Sequence, residues 1–170
     1  MDYFLMSRDK RFSNSAQLEI SKAQLSSEEP IVIYNEFNEN SLFNDYDVIK
    51  ILFDYFYFLS DKFKAMLTVF DESLETTPYF LTSRDLKCQH VIWKTKIPGL
   101  NFSANLNNIS KGGYSELAGL MEGRHIAKVP FEKQEFVIVS LVVAELALRK
   151  YIRGVSFTRI SPGTLLGTRA

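Results

Sequence analysis

The stretch from Glu135 to Ile160, EFVIVSLVVAELALRKYIRGVSFTRI, constrains the fold more than any other part of the chain. Phe136-Val137-Ile138-Val139 is a short apolar run of the kind that forms a buried strand. Ser140 follows, with a hydroxyl suited to accept a hydrogen bond from a free N–H of a first helical turn. Leu141 to Ile152 then reads as a helix whose polar residues, Glu145, Arg149 and Arg153, stand four apart on one stripe. A helix so apolar around its girth is expected to be buried on several sides. Arg149, Lys150 and Arg153 crowd the last turn, where the negative end of the helix dipole favours cations. Gly154 stands where a left-handed residue commonly closes a helix. Val155 to Ile160 alternates and predicts a further strand.

An earlier stretch echoes this pattern. Tyr55 to Leu59 predicts a strand, Ser60 a helix cap, and Asp61 a negative charge in the first turn. Phe63, Met66, Leu67 and Phe70 then recur at helical spacing, and Pro78 bars the helix from continuing to Tyr79–Thr82, a predicted strand. The echo is either weak internal duplication or the ordinary chemistry of a strand-to-helix turn, and the commonness of serine caps favours the second. Before it, Tyr3–Met6 and Ile31–Tyr34 read as strands, Leu18 and Ile20 as a short one, and Asn35–Asn44 as a surface loop. Asp45–Phe53 is too densely apolar for periodicity to decide, and a short helical or irregular piece is expected there. Lys87–Thr95 alternates as a strand, Pro98-Gly99 marks a turn, and Asn101–Gly113 is rich in Asn, Ser and Gly. Ser115–Met121 reads as a short helix, His125–Val129 as a strand, and Pro130–Lys133 as a turn.

These elements predict an α+β fold. It is expected to be a single domain over residues 1–162, with a mixed or mainly antiparallel sheet, two principal helices at about 61–71 and 141–152, and a frayed tail at 163–170. A chain of 170 residues can bury roughly 70% of its unfolded surface, so it needs no metal or disulfide to fold. Cys88 is the only cysteine, which points to a reducing compartment. Lys+Arg and Asp+Glu are 20 each, so the chain lacks the basic footprint of a nucleic-acid binder. No secretory signal or membrane-spanning run is visible, and a cytoplasmic protein is expected.

Residues that could carry chemistry are few. Cys88-Gln89-His90 puts two ligand types together, but a zinc site needs three or four, and the only other histidine is His125. An edge strand with a buried thiol is the expectation for this segment. Cys88 as a nucleophile would need a base and an orienting group, and neither His90 nor His125 has a telling spacing. A small enzyme with a site assembled from Cys88, His90 and His125 stays open as an alternative. Lys111-Gly112-Gly113, Gly119 and Gly123 lack phosphate-loop spacing and read as turns. No catalytic residue, metal ligand or cofactor is expected. One charge feature stands out. Between Glu28 and Asp54 the acids are Glu28, Glu29, Glu36, Glu39, Asp45, Asp47 and Asp54, against the single base Lys50. Such a stretch either steers a basic partner or is a solvated loop whose charge serves solubility.

Two anchors resemble a known family. Phe58-Leu59-Ser60-Asp61-Lys62-Phe63-Lys64 is similar to a signature segment of an immunity-protein family of bacterial polymorphic toxin systems, formerly catalogued as a domain of unknown function. Val139-Ser140, Ala144-Glu145, Leu148-Arg149-Lys150, Gly154-Val155 and Phe157 resemble its second anchor. Order and separation fit, and the resemblance runs over about Tyr3 to Ile160, although Leu86–Leu120 matches little. It implies a small cytoplasmic protein that binds a cognate toxin and neutralises it in the producing cell by surface complementarity, not by turnover. Glu36, Glu39, Asp45 and Asp47 are then the expected partner-binding residues, joined by loop residues of Asn101–Gly113. A self-assembling protein that dimerises through an exposed strand edge is a further class.

Overall fold

A computed structural model of the chain describes residues 1–9, 20, 24, 26–35, 47–50, 56–84, 87–102, 109–131 and 134–163. In chain order its elements are β1 (Tyr3–Arg8), β2 (Ile31–Asn35), β3 (Val48–Lys50), β4 (Phe56–Leu59), α1 (Asp61–Thr68), β5 (Glu75–Ser83), β6 (Gln89–Lys96), α2 (Lys111–Leu120), β7 (Ile126–Phe131), β8 (Gln134–Ser140), α3 (Leu141–Arg149) and β9 (Val155–Ile160). The fold is α+β, as expected, with its strands in two mostly antiparallel sheets. The chain forms two compact units. One comprises Met1–Arg8, Ile97–Lys150 and Ser156–Ala170, and the other Asp9–Lys96 and Tyr151–Val155.

The first unit is built on a four-stranded sheet of order β7-β8-β1-β9. Its centre is the run that dominates the sequence: Val137, Ile138 and Val139 of β8 are all fully buried. Alternate side chains of a strand point to opposite faces, so a run buried at every position needs cover on both. On one face Ile138 joins Tyr3, Leu5, Ala127 and Val129 in a cluster with Leu117 and Met121 from the region of α2. α3 follows β8 without a loop, packs on β8 and β1, and buries Val143, Ala144 and Ala147.

Two expectations for α3 need correction. It is buried along one side only: Val142 and Leu148 are 45% and 63% exposed. It also ends at Arg149, three residues short of Ile152, where Tyr151 takes the left-handed conformation at φ 51°. Gly154 does have positive φ, but it bends the connection into β9 and does not close the helix.

α2 corrects the reading of the glycines. The helix begins at Lys111, so Gly112, Gly113 and Gly119 are helical, and of the group only Gly123, at φ 72°, sits in a turn. Glycine is a poor helix former. Here the Ser110 hydroxyl accepts from the Gly113 N–H at 3.0 Å, and burial of Gly113 and Leu117 fixes the helix start. Pro130 and Phe131, expected in a turn, continue β7, the outer strand of the sheet, where a missing N–H can face outward.

The second unit holds a five-stranded sheet of order β2-β5-β6-β4-β3, in which only β2 and β5 run parallel. Ile33, Phe58, Tyr79, Leu81 and Ile92 form its core on one face, with Phe58 and Tyr79 meeting edge to face. On this face Tyr79 Oη donates to the Gln24 carbonyl at 2.7 Å, and Lys94 Nζ to that of Ser27 at 2.9 Å. α1 packs on β4 and β6, burying Phe63, Met66 and Leu67 as their spacing predicts. Val48–Lys50 is a strand, where a helical or irregular piece was expected, because it pairs with the apolar β4. β5 starts before Pro78. Its pairing with β2 begins only at Tyr79, so Pro78 sits where one edge of the strand is still open. Residues 36–44 of the expected loop, Leu18 of the expected short strand, and the tail beyond residue 163 lie outside the described residues.

Candidate interaction surface

The candidate residues fall in unlike places. Glu36, Glu39 and Asp45 lie outside the described residues. Asp47 is 5% exposed, and its carboxylate is engaged. Oδ1 accepts from Ser60 Oγ at 2.6 Å, and Oδ2 from the Arg153 backbone N–H at 2.8 Å. The backbone repeats the link: Asp47 N–H donates to the Arg153 carbonyl, and Ser60 N–H to the Asp47 carbonyl. Ser60 in turn accepts from the Phe63 N–H, so one chain of bonds joins Asp47 to the start of α1. Lys62 Nζ lies 4.0 Å from Oδ2 and donates to the Tyr151 carbonyl. The carboxylate is therefore a clamp inside this unit, not a group displayed on its surface.

Cys88 and His90 belong to the second unit and His125 to the first. β6 lies between β5 and β4, but β4 pairs only with Trp93–Lys96, so His90 is paired with β5 alone, at Leu81, and Cys88 just before the strand is half-buried. The Cys88 N–H donates to Ser83 Oγ at 3.1 Å in the turn between β5 and β6. His125 meets a residue that spacing did not suggest: its Nδ1 is 2.9 Å from Ser140 Oγ. Ser140 has the backbone of a helix cap, but its hydroxyl makes no cap bond, contrary to expectation. A serine beside an imidazole is the first half of a nucleophile–base pair. Ser140 is fully buried, however, so this hydroxyl is out of reach of a substrate and serves to hold the ring. Among the described residues no group of three or more His, Cys, Asp or Glu could hold a metal ion. No helix there is long and apolar enough to cross a membrane.

What the second unit does display is apolar. Registers across β2, β5 and β6 align Val32 with Phe80 and Phe80 with Val91, so these three form one row on one face of the sheet. Tyr34 stands in the next row, and Pro78 and Trp93 lie opposite each other on the other side. This is the face away from the Ile33–Tyr79–Ile92 core, since neighbours along a strand alternate. Val32 is 46% and Tyr34 62% exposed, while Phe80, Val91 and Trp93 are half-buried. α1 borders the patch. Trp93 donates from its indole N–H to Asp61 Oδ1, and Lys64 Nζ sits 4.1 Å from the ring centroid, close enough for a cation–π contact. Large apolar side chains in a row, edged by an anchored tryptophan, match the composition of protein-binding surfaces. Periodicity could have found them: Ile31–Tyr34 and Tyr79–Leu81 are apolar at consecutive positions, which one buried face alone does not require. Comparison of the chain with protein-family models, with curated proteins and with solved structures finds no match.

Proposed function

We propose that this chain is an immunity protein that binds a toxin made beside it and neutralises it in the cytoplasm of the producing cell by covering its surface. The family resemblance of the segments around Ser60 and Ser140 motivates the reading. The observation that carries it is the apolar face of the sheet on which Val32 and Tyr34 are exposed, with Phe80 and Val91 in one row with Val32, a surface suited to a protein partner. Charge adds direction. Residues 23–49 contain six acids and no Lys or Arg, so the partner is expected to be basic where it meets this stretch. Asp47 is held inside the unit by Ser60 and Arg153, so of the four candidate acids Glu36, Glu39 and Asp45 are left to steer the encounter.

The test is co-expression with the toxin encoded next to the gene. The wild-type chain should restore growth. Reversing Glu36, Glu39 and Asp45 to Lys should slow association and weaken its salt dependence, and Tyr34→Ala should weaken binding by about 30-fold if Tyr34 is a hot spot worth about 2 kcal/mol. Unprotected cells with the wild-type chain, or unchanged binding by all these variants, would count against the proposal.

A further inference from the structure

We infer that the partner docks by strand addition: an extended, Lys- or Arg-bearing segment pairs with the free edge of β2. This rests on the proposed function and names the mode of contact. β2 is the last strand of its sheet, so among the described residues one side of its ladder has no neighbour. Proteins usually blunt such an edge with lysine, proline or a bulge. β2, reading IVIYN, carries neither lysine nor proline, and its pairing with β5 runs without interruption from Ile31 to Asn35. A strand added beside it would gain main-chain hydrogen bonds and extend the row of Val32, Phe80 and Val91 by one more side chain.

Charge decides what the added strand is. Glu28 and Glu29 are exposed just before β2, and neither makes an ion pair among the described residues. Glu36 follows Asn35 in the sequence. If β2 paired antiparallel with β2 of a second copy, centred on Ile33, Asn35 of each copy would face Ile31 of the other, and the ends of β2 next to acids in the sequence, Glu28 and Glu29 before it and Glu36 after it, would meet. Like charges at neighbouring positions across a strand pair oppose it. A basic segment meets the same acids with favourable sign. The occupant is therefore a basic stretch of another protein and not a second copy of this one.

The probe is a capped nonapeptide alternating Lys with Val, against a control alternating Glu with Val. Amide hydrogen exchange on the full chain should show protection at Val32–Asn35 with the Lys peptide only. Val32→Lys and Tyr34→Lys change exposed positions and should keep the fold, checked by circular dichroism, while weakening the peptide at least tenfold. Equal binding of both peptides, protection elsewhere than β2, or a doubled mass by light scattering with β2 protected in the absence of peptide would overturn the inference. In the toxin assay, loss of neutralisation by folded Val32→Lys supports it. Full neutralisation by both lysine variants overturns strand addition while leaving the immunity reading intact. A wild-type chain that binds the Lys peptide at β2 yet neutralises no toxin would sink the immunity reading and leave the edge site standing.

Discussion

Replacing Asp47 by alanine should loosen the second unit more than any surface change. The buried carboxylate accepts from Ser60 Oγ at 2.6 Å and from the Arg153 N–H at 2.8 Å. Hydrogen bonds to a charged group contribute about 1.5–3 kcal/mol each. The Arg153 bond comes from its main chain at a part-buried position, and Ser60 keeps its bond from Phe63, so the low end of that range applies. Lys62, at 4.0 Å and half-exposed, adds little. Together these give a loss of about 3 kcal/mol for Asp47→Ala, and about half that for Asp47→Asn, which keeps the shape and one acceptor. Urea unfolding followed by the fluorescence of Trp93, the only tryptophan, reads this unit directly. With a slope of about 2 kcal/mol/M, the midpoint should fall by about 1.5 M. Ser60→Ala combined with Asp47→Ala should show a coupling of about 1 kcal/mol or more. A midpoint shift below about 0.25 M, or additive single effects, would refute the clamp.

Glycine positions give opposite signs. Gly119 is helical with nothing within 4 Å of an added Cβ, so Gly119→Ala should stabilise by about 0.5–1 kcal/mol, whereas Gly123→Ala, at φ 72°, should destabilise by about 1 kcal/mol; thermal melts separate the two. Ser140→Ala should lose about 1–2 kcal/mol and be coupled to His125→Ala, because the hydroxyl binds that ring; a double-mutant cycle with no coupling would restore the ordinary cap role. Burial raises the Tyr79 phenol above its ordinary 10.0, and burial together with the nearby Tyr114 and Glu122 does the same for Tyr3. The folded state therefore holds these protons after the unfolded chain has released them. Their stabilising share is present below about pH 10 and lost as pH rises further, so melting temperatures should drop above pH 10, and less steeply in Tyr3→Phe and Tyr79→Phe.

The parts of the fold that local chemistry governs could be read in advance. Ser60 and Asp61 open α1 where they were expected to, and Phe63, Met66 and Leu67 face inward. β8 is buried on both sides, as its unbroken apolar run requires. The misreadings share a cause, which is that distant partners outweighed local preference. Val48–Lys50 is a strand because β4 lies beside it. Gly112 and Gly113 are helical because Ser110 caps them and Leu117 is buried. Ser140 gives its hydroxyl to His125, fifteen residues away, although the cap position was free. The candidate surface was half legible: apolar runs at β2 and β5 signalled a second apolar face, but only the registers brought Val32, Phe80 and Val91 into one row. Asp47 had the right charge for a contact residue, and nothing in its neighbours foretold the bond from Arg153, 106 positions later.

The position of β1 between β8 and β9 sets a timetable for synthesis. Met6 pairs with Val137, so the ribosome must add 131 residues (137 − 6) before this strand meets its first partner. At about 5–20 residues per second that is roughly 7–26 s during which a strand that opens on Tyr3-Phe4-Leu5-Met6 has no sheet to join. A chain cut before Gln134 would never provide one, and truncated translation products should therefore be strongly prone to aggregate or to be degraded.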